Sequence, residues 1–180
     1  MKRTILRYLA GFFPLVAFFG SAYAQQASLG ASSDDLPVKY VFDEMKADGA
    51  VLVNAADINA RALKEFSKTF KSANNTAWYE IPGHKGFVAK FKQDGIDTKV
   101  NYDSKGRWVS TVLTYTEEHL PRDVRHIVKS IYYDYNIFLV QEVKVGDKTA
   151  YLVKIEDEKT YKTIRVIDGE MDEFENYKKG

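Results

Sequence analysis

Between residues 57 and 71 the apolar positions follow a helical rhythm. Ile58, Ala62, Leu63, Phe66 and Phe70 recur at spacings of three and four, which places them on one side of a helix. Asp57 or Asn59 is available to cap its first turn, and Asn74-Asn75 ends it near Lys71. The rhythm then shortens to strand character over 77–81, 87–92, 98–102 and 107–115. The connections Pro82-Gly83-His84-Lys85-Gly86, Gln93-Asp94-Gly95 and Asp103-Ser104-Lys105-Gly106 have the length and the glycines of hairpin loops, so these strands are expected as antiparallel neighbours. A second helix is expected from Pro121, a residue suited to a first turn because its missing N–H has no partner there anyway. Val124, Ile127, Val128 and Ile131 form its apolar stripe, with Arg122, Arg125 and Lys129 pointing elsewhere. Strands are expected again over 137–145, 149–155 and 161–167, with a short one over 171–174.

The order is helix and four strands, then helix and four strands, and the residues suggest a duplication. Phe87-Val88-Ala89-Lys90-Phe91 aligns with Tyr151-Leu152-Val153-Lys154-Ile155; Val100, Tyr102 and Asp103 align with Ile164, Val166 and Asp168; Phe66 and Phe70 align with Ile127 and Ile131. Residues 55–116 and 117–180 are therefore read as tandem repeats. Strand side chains alternate between two sides. Phe87, Ala89, Phe91, Val100, Tyr102, Tyr151, Val153, Ile155, Ile164 and Val166 share one side, which the two helix stripes are expected to cover. Val88, Lys90, Lys92, Lys99, Asn101, Leu152, Lys154, Glu156, Lys162 and Arg165 are assigned to the other, expected to face water as antiparallel sheets often do. The fold class expected is α+β, with both helices on one face of antiparallel meanders. A unit of about 60 residues buries only about 60% of its extended surface, against about 70% at about 150 residues, so both repeats are expected to share one structure.

Ahead of the helix the pattern changes kind. Lys2, Arg3 and Arg7 precede an apolar run from Leu9 to Phe19, and Ala22-Tyr23-Ala24 follows. That is the three-part form of a secretory signal peptide over residues 1–24, with cleavage expected between Ala24 and Gln25. The run is shorter than the roughly 20 apolar residues of a membrane span and contains Pro14, so no membrane anchor is expected after processing. Residues 25–54 read as an N-terminal arm followed by an irregular or strand-like segment. Losing Lys2, Arg3 and Arg7 changes the formal charge from +1 to −2, with 23 basic residues against 25 acidic ones. Mixed, near-zero charge offers no polyanion footprint, and nucleic acid is not an expected partner. The 180-residue chain has no cysteine, so even in an oxidising compartment stability comes from the core alone.

The Leu120-Pro121 entry followed by Val124, Ile127 and Ile131 resembles one part of a known family. A strand pair leading into Tyr102-Asp103-Ser104-Lys105-Gly106-Arg107-Trp108-Val109 resembles another. Over about residues 55–177 the chain is similar to the PepSY-like, or beta-lactamase-inhibitor-like, exported proteins of Bacteroidetes-type bacteria. The resemblance implies a helix-plus-meander unit, often in tandem, in a periplasmic or secreted protein. It implies no established activity. Relatives in the wider group act as inhibitors or as regulatory pro-segments of peptidases, whereas this chain carries no peptidase domain.

Chemistry is sparse. His84, His119 and His126 lack zinc-ligand spacing, and no nucleophile or phosphate-loop motif occurs. No cofactor or metal is expected. Asp168, Glu170, Asp172, Glu173 and Glu175 cluster, but Gly169 stands where a calcium loop would not have it, and they read as solvated hairpin acids. Trp78 and Trp108 flank the first meander, where strands favour aromatics for packing. The reading that follows is a non-enzymatic binding or inhibitory module, periplasmic or secreted. Its partner is expected to be a protein, peptide or glycan of the cell envelope, such as a peptidase. Lys90, Lys92, Lys154, Glu156 and Arg165 are its candidate docking residues. The alternative is a cell-envelope hydrolase using a pair of carboxylates that no motif marks.

Overall fold

The computed structural model describes residues 51–80 and 86–180. The leader with its Ala24/Gln25 junction, the arm up to residue 50 and the loop carrying His84 lie outside the described residues.

The described chain runs β1 (Val51–Leu52), a 3-10 turn (Ala55–Asp57), α1 (Ala60–Thr69), β2 (Ala77–Glu80), β3 (Phe87–Gln93), β4 (Ile96–Tyr102) and β5 (Trp108–Tyr115). A second 3-10 turn (Glu117–His119) leads into α2 (Arg122–Ile131), β6 (Asn136–Val145), β7 (Lys148–Glu156), β8 (Thr160–Ile167) and β9 (Glu170–Lys178). The nine strands form one sheet in chain order, and every neighbouring pair is antiparallel. The architecture is α+β. Its tight hairpins use the expected residues: Asp94-Gly95 and Asp168-Gly169 both adopt positive φ at each position, the two-residue geometry that suits the strand twist.

Register carries the side-chain parity across the whole sheet. Val100 opposes Thr111, Tyr115 opposes Val140, Val140 opposes Val153 and Val153 opposes Ile164. All of these point to the side where the helices lie. Under α1, Ile58, Ala62 and Phe66 pack with Trp78, Ala89, Phe91, Val100 and Tyr102. Phe66 meets Trp78 and Phe91 edge-on, at centroid distances of 5.2 and 5.6 Å. Under α2, Val124 and Val128 pack with Val140, Val153, Ile155, Ile164 and Val166. Each such side chain contributes roughly 1.5–3 kcal/mol. Both tryptophans belong to this packing: Trp78 is buried, and Trp108 packs against the α1 cluster.

Of the two caps expected for α1, Asn59 is the one used, its side chain accepting from the Arg61 N–H at 2.9 Å, and the helix accordingly starts at Ala60. Several expectations need correction. Pro121 sits one position earlier than expected, as the cap of α2. Ile131 leaves the apolar stripe and is 63% exposed, because α2 ends there. The helix starts are 62 residues apart, so Phe66 corresponds in position to Val128 and not to Ile127. The last strand is nine residues long, its period obscured by a bulge where Thr163 opposes Glu175 and Ile164 opposes Glu173. Lys162 shares the parity of Ile164 and lies on the helix side, its ammonium on Glu173 and 5.6 Å from the Tyr132 ring.

The face that carries no helix among the described residues, the helix-free face, is not uniformly open. Val112, Val143, Ala150 and Leu152 are buried there, with Val145, Ile167 and Phe174 packed around them. Val112, Val143 and Ala150 lie side by side in one cross-strand row. Arg165 lays its guanidinium over the Phe174 ring at 5.6 Å, a cation–ring contact that also covers apolar surface. Near this row the buried Asn101 amide donates to Ser110 Oγ at 2.7 Å.

Candidate binding face

Lys90, Lys92, Lys154, Glu156 and Arg165 all occur on the helix-free face, but at separate places. Strand β3 positions Lys90 and Lys92; strand β7, four strand steps away, positions Lys154 and Glu156. At about 4.8 Å per step the two strands lie about 19 Å apart across the sheet. Arg165 is on β8, opposite Leu152.

At the β3 end, Lys90 stands directly opposite Lys99, a like-charge pair that costs stability in a sheet. The Lys90 ammonium rests 4.6 Å from the Tyr79 ring centroid, and Lys92 pairs with Asp97 at 3.3 Å. A shallow depression of about 280 Å³ opens there, lined by Lys90, Lys92, Asp97, Lys99 and Thr114 among others. The opposite end is balanced. Arg165 grips Asp172 through two bonds of 2.9 and 3.2 Å. Glu156 accepts from Lys179 at 2.8 Å, which raises the Lys179 pKa above its ordinary value. Lys154 makes no ion pair among the described residues.

Three aromatic side chains that sequence reading passed over stand beside this balanced end. Phe138, Tyr161 and Tyr177 are exposed. Tyr161 and Tyr177 are cross-strand partners, and the Phe138 and Tyr161 rings meet edge-on at 6.1 Å. The parity of Tyr161 with Arg165 was readable. Phe138 was not, because its parity with Val140 assigns it to the helix side. A bulge between Ile137 and Leu139 adds one residue and turns Phe138 to the other face.

A larger depression of about 640 Å³ has Asp134, Asn136, Glu156, Asp157, Glu158, Lys159 and Lys179 around it, and Lys179 on its rim rests against the Tyr161 ring. Carboxylates do converge here, and Asp157 among them has its pKa shifted away from what a general acid needs. Asp157 accepts from the backbone N–H of Lys159 and Thr160 at 2.8 and 2.6 Å, which holds its pKa down at about 2. The other carboxylates with displaced values, Asp103 and Glu173, also move down, through bonds to Arg107 and to Lys162 respectively. Acid catalysis at a glycosidic bond needs the opposite shift. Among the described residues no cluster of three metal-ligating side chains occurs, and His119 and His126 are exposed. No described helix is long and apolar enough to cross a membrane.

No family model matches the chain, and no curated protein is similar to it in sequence. Solved structures are similar in fold. A DUF2874 family protein of Bacteroides ovatus ATCC 8483 superposes with a TM-score of 0.55 at 18% identity, over 67% of this chain and 87% of that one. A BLIP-like protein of Bacteroides fragilis NCTC 9343 gives 0.54 at 18%, over 67% and 86%. A protein of Bacteroides eggerthii DSM 20697, provisionally described as periplasmic, gives 0.54 at 17%, over 67% and 88%. At such identities the likeness establishes architecture alone: this chain has the α+β fold seen in the DUF2874 and BLIP-like proteins of Bacteroides.

Proposed function

We propose that this chain is an exported, non-enzymatic module that binds a protein partner through its helix-free sheet face. One observation carries the reading: both described helices cover the same side of a nine-stranded sheet, and among the described residues the other side carries charged and aromatic side chains at its ends. Surfaces of this kind favour selective, electrostatically tuned docking. The leader over residues 1–24, the provisional periplasmic description of the Bacteroides eggerthii protein and the BLIP-like name of another neighbour support a binding or inhibitory role outside the cytoplasm. We place the mature protein in the periplasm or beyond it, starting at Gln25. The helix-and-four-strand order, stated twice, supports a tandem PepSY-like arrangement.

The test is capture of partners from the producing organism's own envelope fraction on the mature protein, compared with variants. Lys90→Glu, at an exposed position, and Lys154→Glu, at a half-buried one, should each change stability by no more than about 0.5 kcal/mol, as changes away from the core usually do, yet abolish capture of the recovered partner. Arg122→Glu, on the exposed side of α2, should leave capture intact. Capture that survives both face variants and fails with Arg122→Glu would move the docking surface to the helices and overturn the proposal.

A further inference from the structure

The aromatic group at the β6–β9 end calls for its own explanation. Phe138, Tyr161 and Tyr177 are 38, 42 and 58% exposed, and core packing requires none of them there. Phe138 arrives only through the β6 bulge, a device that re-aims side chains at functional places. Tyr161 meets the larger depression through Lys179 and through its cross-strand partner Glu156, and the rim there carries four carboxylates, Asp134, Glu156, Asp157 and Glu158, against two lysines, Lys159 and Lys179. That surplus of negative charge disfavours an anionic ligand and favours a cation.

The chain itself shows which cation geometry fits. The Lys179 ammonium lies 4.3 Å from the Tyr161 ring centroid and 2.8 Å from Glu156 Oε2. An ammonium against an aromatic face gains from the negative charge of the ring quadrupole, and the adjacent carboxylate adds a charge-assisted hydrogen bond. Lys179 follows β9 and is tethered by its own N–H to the Lys159 carbonyl at 2.8 Å, so its side chain can leave while the backbone stays. With Lys179 withdrawn, the rim keeps four carboxylates against Lys159 alone. Phe138 and Tyr177 then offer apolar surface on either side of Tyr161, where the stem of a long basic side chain or its neighbours would lie.

We propose that Tyr161, Glu156, Phe138 and Tyr177 form a recognition site for a lysine or arginine side chain of a basic partner segment, and that Lys179 occupies this place in the free protein and yields it on binding. The proposal rests on the reading that the helix-free face docks a protein, and it supplies the chemistry of that partner.

The experiment is a fluorescence-anisotropy titration of the intact protein with labelled acetyl-Gly-Lys-Gly-Lys-Gly. The glutamate counterpart of that peptide and a neutral glucose hexasaccharide serve as comparison probes. Lys179→Ala should bind the basic peptide about threefold to fivefold tighter, the range of one exposed cation–ring contact. In that background Tyr161→Ala or Glu156→Gln should remove the gain, and Tyr161→Phe should keep it; the conservative pair holds the test open if Tyr161→Ala unfolds. An unchanged affinity in Lys179→Ala, or a gain that survives Glu156→Gln, overturns the proposal. So does selective binding of the glucose hexasaccharide that is lost with Tyr161→Ala. Loss of envelope-partner capture in Lys90→Glu tests the face as a whole, whereas this titration tests only the site around Tyr161, so the two failures are separable.

Discussion

Asp157 organises the β7–β8 turn through one carboxylate oxygen, which accepts from the Lys159 N–H, the Thr160 N–H and the Thr160 hydroxyl at 2.8, 2.6 and 2.9 Å. Those donors favour the charged form and hold its pKa at about 2, below the roughly 3.9 of an unfolded aspartate. A depressed carboxylate stabilises the fold above the unfolded pKa and loses that contribution as pH falls through the folded value. Melting temperature measured against pH should therefore drop between about 4 and about 2, and Asp157→Asn should flatten that part of the curve; an unchanged slope would remove Asp157 from the account. The alkaline limb has a different origin. Burial, helped by the charge of Glu65, pushes Tyr102 up to about 12, and burial beside Glu142 raises Tyr115. A raised group stabilises below its unfolded pKa of about 10, so stability should decline as pH climbs from there towards 12. Strand parity accounts for the side on which Lys90, Lys92, Lys154, Glu156 and Arg165 stand, and it puts Lys162 on the side of Ile155 and Ile164. Phe138 could not be placed, since a bulge is an insertion in register that leaves no mark in composition.

At the scale of elements, the start of α1 and the β4–β5 turn are one assembly. Asn59 caps the helix with its carbonyl oxygen, and its amide donates to the Ser104 carbonyl at 3.2 Å. Gly106 in that turn has φ +71, and a Cβ there would stand 2.5 Å from Asn59 Oδ1 and 2.8 Å from the Ala62 nitrogen. Gly106→Ala should therefore cost about 2–4 kcal/mol in denaturant unfolding, combining a left-handed backbone with overpacking. Gly169 provides the control: it has φ +82 but nothing within 4 Å of an added Cβ, and Gly169→Ala should cost only about 1 kcal/mol. Equal losses at the two sites would show that the helix–turn contact contributes nothing. Asn59 and Gly106 were each readable as a cap and a turn residue. Their contact, across 47 positions of sequence, was not, because it depends on how closely α1 lies upon the sheet.

For the whole molecule, the pairing of β5 with β6, from Thr111–Lys144 to Tyr115–Val140, joins the two helix-and-strand groups within one sheet. It covers Val112 against Val143 on one face and brings Tyr115 into the α2 cluster on the other. The mature protein should unfold in one transition. A chain ending at Thr116 should be much less stable, because it exposes the β5 edge and a unit of that size buries too little surface. Two separated transitions, with a stable first half, would contradict this.

Alternation and helical spacing by themselves determined the two helices, eight of the nine strands and the side of the sheet the helices cover. Each depends on where a residue points relative to its near neighbours, and a local period records that. The tertiary structure decided the buried row at Val112, Val143 and Ala150, the turning of Phe138, the full length of β9 and the meeting of Tyr161, Glu156 and Lys179. These follow from cross-strand register and from the approach of segments distant in sequence, quantities that the order of polar and apolar residues along one strand does not carry.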